Sequence, residues 1–519
     1  MRKSIKKIIT WARINFDLVL GAFFFLTYRY YFTWLLWRSR GVPPEPDDSY
    51  YYLAHAANFP SAVNFEAFRL LPFSLWINLI KIITGTSLET SYMINFYLGP
   101  PLMFLTLAYF LIKVETDKKV RLLLFTLLAL YSGSGAYHGF FWVVPSFYQL
   151  ILFFLMLTFI FSDKKFKLWQ ILPFSAAFIF VHPTSIFISA IFLIYPLFLY
   201  FFKKELSYVA FKNTIPVLTS LLLSFMAYLL IGFRFPHDNS PESFQTIQSL
   251  LAGFIKGNIN LISLQIIWKE YFSIFFLNPV TIIVYFTMFY FVYRIKQYKI
   301  IAVYLSTLLL VLLSTTIPYG SRTLGFLWPI TFLVIGYFLV GIWKMLHSIS
   351  PKFKLGYLTI IPFAVLFTLA SIFNVISVSS VNATKNYNWN RSCPLKLQDK
   401  NIYFTAQESK NAFSLYEGDE KALHFLSIDK VNDFSKEDNM LVETKNEKLQ
   451  PSALSGVEDL LASMITRRGG GTNVQYPSNS WTVPPADSGT LLANLNSNDL
   501  KISQYLDCGH FQVSIIEKL

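Results

Sequence analysis

Two adjacent carboxylates, Asp47 and Asp48, follow the run Pro43-Pro44-Glu45-Pro46 and precede Ser49-Tyr50-Tyr51-Tyr52, beside an apolar stretch of membrane length. The chain holds only 30 acidic residues among 519, so the pairing stands out. Prolines keep the approach extended, and an Asp at this point can cap the exposed amides of a helix that the tyrosines continue. Capping needs one carboxylate, and the sequence supplies two. Adjacent carboxylates raise one another's proton affinity, which makes a general base, or they share a divalent cation such as Mg²⁺ or Mn²⁺. Either arrangement activates a hydroxyl nucleophile; the sequence does not identify the further ligands of such a cation.

The other residues able to do chemistry sit mostly at the ends of apolar stretches. Arg322, in Ser321-Arg322-Thr323-Leu324-Gly325-Phe326-Leu327-Trp328-Pro329, places a guanidinium where it can grip a lipid phosphate in a forked pair of charge-assisted hydrogen bonds, or snorkel to ordinary headgroups. His138 and Trp142, in Tyr137-His138-Gly139-Phe140-Phe141-Trp142, set a polar group beside an aromatic platform suited to a sugar; an interfacial aromatic belt has the same composition. His182 precedes Pro183, a position that suits a helix end as well as a ligand. His237, Asp238 and Glu242 lie in a polar loop and read as solvated residues.

The elements that must position these groups are set by composition. At 54% hydrophobic, 18% aromatic and 14% charged, the chain is too apolar for a soluble protein of its length. Its apolar segments run ~17–23 residues, enough to cross a hydrocarbon core ~30 Å thick, and are expected to be uncharged in their centres. The net charge of +14 comes from Lys and Arg clustered in short loops, where it reads as a topology signal and not as a nucleic-acid surface. Every second loop carries such a cluster. About eleven spans follow, the first near 16–36 and the last near 356–375, with the N-terminus cytosolic and Asp47, Asp48, His138, His182 and Arg322 all outside. Between the first and second spans, 68–83 is apolar but short and reads as a helix lying on the membrane surface. A long outer loop from Arg234 to about Lys269 is long enough to fold over a site.

From about Ser377 the composition becomes that of an ordinary globular chain. Strand-like stretches occur at Asn401–Phe404, Met440–Val442 and Phe511–Ile516, and a helix-like run at Val457–Thr466, which predicts a small α/β domain over 377–519 after a transmembrane domain over 1–376. The only two cysteines, Cys393 and Cys508, bracket this domain on the side of the membrane where a disulfide persists. The acceptor patterns at Asn382 and Asn390 carry no weight.

Taken together, the acidic pair followed by tyrosines, the surface helix and the many spans resemble the GT-C superfamily of membrane glycosyltransferases, such as the protein O-mannosyltransferases and aminoarabinose transferases. The resemblance covers roughly the first 375 residues. It implies an all-α polytopic fold, a polyprenyl-phosphate-linked sugar as donor, an extracytoplasmic glycan, lipid or protein acceptor, and inversion at the anomeric carbon. It further implies that Asp47 is the base with Asp48 as its partner or substitute, and that Arg322 binds the donor phosphate; Tyr51, His138, Trp142 and His182 are the candidate substrate-binding residues, read from their types and positions. The second acid is Asp where those relatives often have Glu, and the surface helix has no clear Pro-Pro-Leu motif. A lipid-linked polysaccharide polymerase or ligase, and a transporter or flippase, are the alternatives. The latter calls for polar residues at mid-membrane.

Overall fold

Apolar stretches longer than a few turns, with no water to satisfy their backbone, fold as helices, and helices make up the body of this protein. The computed structural model describes residues 14–40, 52–53, 55–57, 68–129, 143–182, 184–203, 212–234, 248, 252, 255–257, 259–316, 320–349, 401–404, 423–425, 439–444, 500–508 and 511–518. Its helices are α1 (Phe16–Arg40), α2 (Leu71–Thr84), α3 (Leu88–Val114), α4 (Lys118–Ala129), α5 (Pro145–Phe161), α6 (Leu168–Val181), α7 (Ser185–Ile188) and α8 (Ala190–Lys203). They continue with α9 (Thr214–Arg234), α10 (Leu261–Ile267), α11 (Ser273–Phe276), α12 (Pro279–Arg294), α13 (Tyr298–Leu313) and α14 (Leu324–Ile349). Five helical stretches among the described residues are long and apolar enough to cross a membrane: Thr90–Val114, Ser185–Phe202, Thr214–Arg234, Tyr298–Thr316 and Gly320–Ser348. The chain is therefore a helical protein suited to a lipid bilayer. The span expected at 356–375 lies outside the described residues.

Hydrogen bonds sort the helix ends into two sets. At one end Lys118 Nζ donates to Ile14 O, Asn213 Nδ2 to Ser162 O at 2.6 Å, and Lys299 Nζ to Phe161 O at 3.5 Å. Here the Arg121 guanidinium meets the Asp17 carboxylate at 2.7 Å, and both are buried. At the other end Asn95 Nδ2 donates to Val143 O at 2.7 Å, Gln149 Nε2 to Ser185 Oγ at 2.8 Å, and Asn260 N–H to Thr315 O at 2.7 Å. Helices α3, α4 and α5 therefore alternate in direction, as do α13 and α14. The basic clusters Lys118-Lys119, Lys164-Lys165 and Arg294-Ile295-Lys296 gather at the first end. Helices α1 and α4 run side by side in the same direction: Asp17 meets Arg121, and a side chain at Gly21 would strike the Phe125 ring at 2.9 Å.

Close helix contact relies on small residues, as bilayer packing generally does. A Cβ at Gly336 of α14 would fall 2.4 Å from Leu124 Cδ2 of α4, so only glycine lets these two helices touch.

One expectation is corrected. Arg29 interrupts the stretch expected as the first span, twelve residues past Asp17 and about 18 Å further along α1. Its guanidinium is buried, donates to Ala129 O at the end of α4, and lies 5.5 Å and 5.3 Å from the Phe25 and Tyr28 ring centres. A charge inside a span is tolerated when backbone oxygens and aromatic faces enclose it in this way.

Helix α2 falls where a short helix was expected, at 68–83. Fourteen residues make it about 21 Å long, too short to cross, and Gly85 ends it in the left-handed conformation at φ 66° with its N–H on Lys81 O. Phe73, Ile77 and Ile80 pack inward while Leu75, Leu79, Ile82 and Ile83 are exposed, so α2 is apolar on both flanks, as a helix between protein and lipid must be.

Beyond α14 the described residues form five strands, β1 (Asn401–Phe404), β2 (Leu423–Phe425), β3 (Asn439–Thr444), β4 (Leu500–Cys508) and β5 (Phe511–Lys518). They make one mixed sheet in the order β2-β1-β3-β5-β4, with β1 parallel to β2 and β3, and β5 antiparallel to β3 and β4. Three strands coincide with the stretches read as strands. The helix expected at 457–466, and Cys393 of the expected disulfide, lie outside the described residues, and Cys508 ends β4.

Removing one partner of a buried ion pair strands the other charge. Asp17→Ala should therefore lower unfolding stability in detergent by about 3–5 kcal/mol, and Asp17→Leu combined with Arg121→Leu should recover most of it; chemical denaturation of the purified protein reads both.

Candidate functional site

The site assembles at the end of the bundle away from the basic clusters. Helix α6 stops at His182, whose backbone is extended at φ −160° and ψ 138°, and the chain restarts as α7 at Ser185. Proline at 183 disfavours helical geometry in the residue before it, which accounts for the break. Arg322 comes from the 3₁₀ turn Gly320–Thr323 that leads into α14. That turn is held from within: Ser314 Oγ donates to Gly320 O at 3.0 Å and lies 2.8 Å from Thr323 Oγ1, which itself donates to Gly320 O at 2.6 Å.

Separated by 140 positions in sequence, Arg322 and His182 meet in space, with Nη1 3.3 Å from Nε2. On its other side the ring's Nδ1 lies 2.8 Å from Thr184 Oγ1 and accepts from the Thr184 backbone N–H at 3.3 Å, so the imidazole joins Arg322 to the residue that opens α7. Behind them, Gln149 of α5 is fully buried, and its Nε2 donates to Thr184 Oγ1 at 3.0 Å and to Ser185 Oγ at 2.8 Å. The relay Arg322–His182–Thr184–Gln149–Ser185 holds an imidazole beside a permanent cation. Chemically this is a place for an anion: a guanidinium matches phosphate oxygens, and an imidazole that can take up a proton adds to the attraction once negative charge arrives.

A second polar hub adjoins it through the next residue of the chain. Tyr148 OH and Trp76 Nε1 both donate to Asn95 Oδ1, the latter at 2.9 Å, and the same amide donates to Val143 O. Thus Tyr148 ties α5 to α2 through Asn95, while its neighbour Gln149 ties α5 to the His182–Arg322 relay. Helix α2 in turn receives the chain from the first loop: Tyr52 packs edge-on against Phe73 at 5.4 Å, and Asn78 Nδ2 donates to Ala56 O at 2.8 Å.

Of the residues singled out in the sequence, His182 and Arg322 are brought together. Asp47, Asp48, Tyr51, His138 and Trp142 lie outside the described residues, as do His237, Asp238 and Glu242, and with Asp47 and Asp48 the question of a shared cation. Gln149, Thr184, Ser185 and Asn95 were missed. The available signal was a lone amide in each of two apolar helices, Phe147-Tyr148-Gln149-Leu150 and Met93-Ile94-Asn95-Phe96.

No protein-family model matches the chain, and no curated protein matches it.

Gln149→Leu keeps the bulk of the side chain but leaves the Thr184 and Ser185 hydroxyls short of a partner. The expected loss is about 1–3 kcal/mol of unfolding free energy, the cost of buried polar groups left unsatisfied, read by thermal or denaturant unfolding in detergent.

Proposed function

We propose that this protein is an integral-membrane glycosyltransferase of the GT-C kind, moving a sugar from a polyprenyl-phosphate carrier to an acceptor outside the cytosol. The observation that carries the reading is the meeting of His182 and Arg322 at the end of the bundle opposite the basic clusters, one residue of α5 away from the hub that seats the first-loop helix. Positive-inside topology puts the basic end in the cytosol, with about eleven spans, and hence the relay on the outer side. Tyr52, four residues after Asp48, packs on that side against Phe73.

In this reading Arg322 and His182 take the phosphate of the donor. Asp47, with Asp48 beside it, accepts the proton of the acceptor hydroxyl as its oxygen attacks the anomeric carbon. The bond from that carbon to the phosphate oxygen breaks on the opposite face, the configuration inverts, and the carrier phosphate leaves with the electron pair against the Arg322 guanidinium. In this reading the sheet after α14 is the core of a small α/β domain, in keeping with the crossover connections that parallel pairing of β1 with β2 and β3 calls for, and an odd number of spans puts it on the same outer side. The transport reading calls for charges along a path through the membrane. Arg29 is a charge within a span, yet it is enclosed by Ala129, Phe25 and Tyr28.

The test is transfer of radiolabelled sugar from a panel of polyprenyl-phosphate sugars in membranes holding equal amounts of each variant. Asp47→Asn should lose about 100-fold or more in rate, in keeping with removal of a general base, and Arg322→Ala should lose a comparable factor. Wild-type transfer left intact by Asp47→Asn, Asp48→Asn and Arg322→Ala alike would overturn the mechanism.

A further inference from the structure

The loop after α9 ends in a segment that the proposed reaction does not use. Asn260 fastens its start: the backbone N–H donates to Thr315 O at 2.7 Å, and Asn260 Oδ1 accepts from Ser263 N at 2.9 Å, capping α10. Helix α10 then lies against the two 3₁₀ turns Ser314–Thr316 and Gly320–Thr323, the second of which carries Arg322. The segment continues through a π turn, Trp268–Phe272, into α11.

That π turn has a geometric consequence. Ser263, Ile267 and Tyr271 are all buried, four residues apart, and in an unbroken α-helix each step of four would drift by about 40° around the axis. The wider turn removes the drift and keeps Tyr271 facing the bundle. There its hydroxyl lies 2.6 Å from Tyr304 OH of α13 and 3.0 Å from Thr331 Oγ1 of α14, while its ring stands edge-on to Trp328 at 5.0 Å. Tyr285 OH of α12 completes the set at 2.9 Å from Tyr304 OH.

Each hydroxyl has one proton, so the direction of this chain is determined. Thr331 gives its proton to Leu327 O at 2.8 Å. Tyr271 must then donate to Thr331, Tyr304 to Tyr271, and Tyr285 to Tyr304. Tyr271 is the one member from the α10–α11 segment, and it stands in the middle of the chain. Removing its hydroxyl leaves Tyr304 and Tyr285 with two protons and one bond between them, so one proton is stranded whichever of the two donates, whereas removing the Tyr285 hydroxyl leaves no donor stranded.

We infer that the segment 261–276 is a latched wall of the Arg322 site, with the Tyr271 hydroxyl as the latch that holds it closed against the Arg322-bearing turn. Tyr271 is thus a positioning residue. The latch stands on its own geometry; its effect on transfer rests on the function proposed above.

Opening of the wall can be read without any activity. A cysteine placed at buried Ser263, Ser263→Cys, should react slowly with a membrane-impermeant maleimide in the full-length protein, with the parent chain setting the background from Cys393 and Cys508. Adding Tyr271→Phe should speed labelling at least tenfold, since a stranded buried donor favours the open form. Adding Tyr285→Phe should change it less than about threefold, because that change strands nothing. Equal rates with and without the Tyr271 hydroxyl, or equal acceleration by both substitutions, would overturn the latch. Where donor transfer is measurable, Tyr271→Phe should raise KM for the lipid donor more than it lowers kcat. Slow labelling that Tyr271→Phe accelerates, in a protein with no transfer at all, would uphold the latch and sink the transferase reading instead.

Discussion

Polar groups inside an apolar bundle have no water to fall back on, so each must find its partner within the protein. That constraint organises this structure more than any single apolar contact. Gln149 shows it most plainly. It is fully buried in a mostly apolar helix, and its amide donates to what the break after α6 presents, Thr184 and Ser185. Thr184 in turn orients His182, and His182 receives Arg322. Asn95 does the same for the surface helix one residue away along α5. Satisfying two amides thereby fixes where α2, α5, α6 and the turn before α14 stand relative to one another.

The same constraint separates the two ends of the molecule. At the basic end the contacts are a buried ion pair, Asp17 with Arg121, the buried Asn213 amide on Ser162 O, and lysines on backbone carbonyls, as Lys299 is on Phe161 O. These bonds close helix ends and leave little to act on a substrate. At the other end the polar groups form a graded relay from a buried amide to a partly buried guanidinium, the arrangement expected where charge must be received.

Much of this was legible in the sequence, for physical reasons that differ from residue to residue. Helices of membrane length announce themselves by apolarity alone, and the strands of the C-terminal sheet by runs such as Asn401-Ile402-Tyr403-Phe404. Arg322 and His182 were each found from position, as polar residues where an apolar stretch stops. Their meeting was not legible, because it depends on how α6 and α14 pack, which no local pattern encodes. Arg29 escaped because Tyr28 and Tyr30 beside it blend with the apolar stretch; the carbonyl of Ala129, 100 residues away, helps explain how a charge is tolerated there. Tyr271 escaped because tyrosine is common throughout this chain, and nothing in sequence marks the one whose hydroxyl is shared between two helices.

The proposed function turns on whether the end carrying His182 and Arg322 receives a lipid phosphate. Native mass spectrometry of the purified protein with a polyprenyl monophosphate asks this directly, since it counts bound lipid without requiring the right sugar or acceptor. The expected result is one lipid phosphate retained by the wild type, with at least tenfold weaker retention in Arg322→Ala and partial loss in His182→Ala. Equal retention by all three proteins would contradict the account and move the anion site elsewhere.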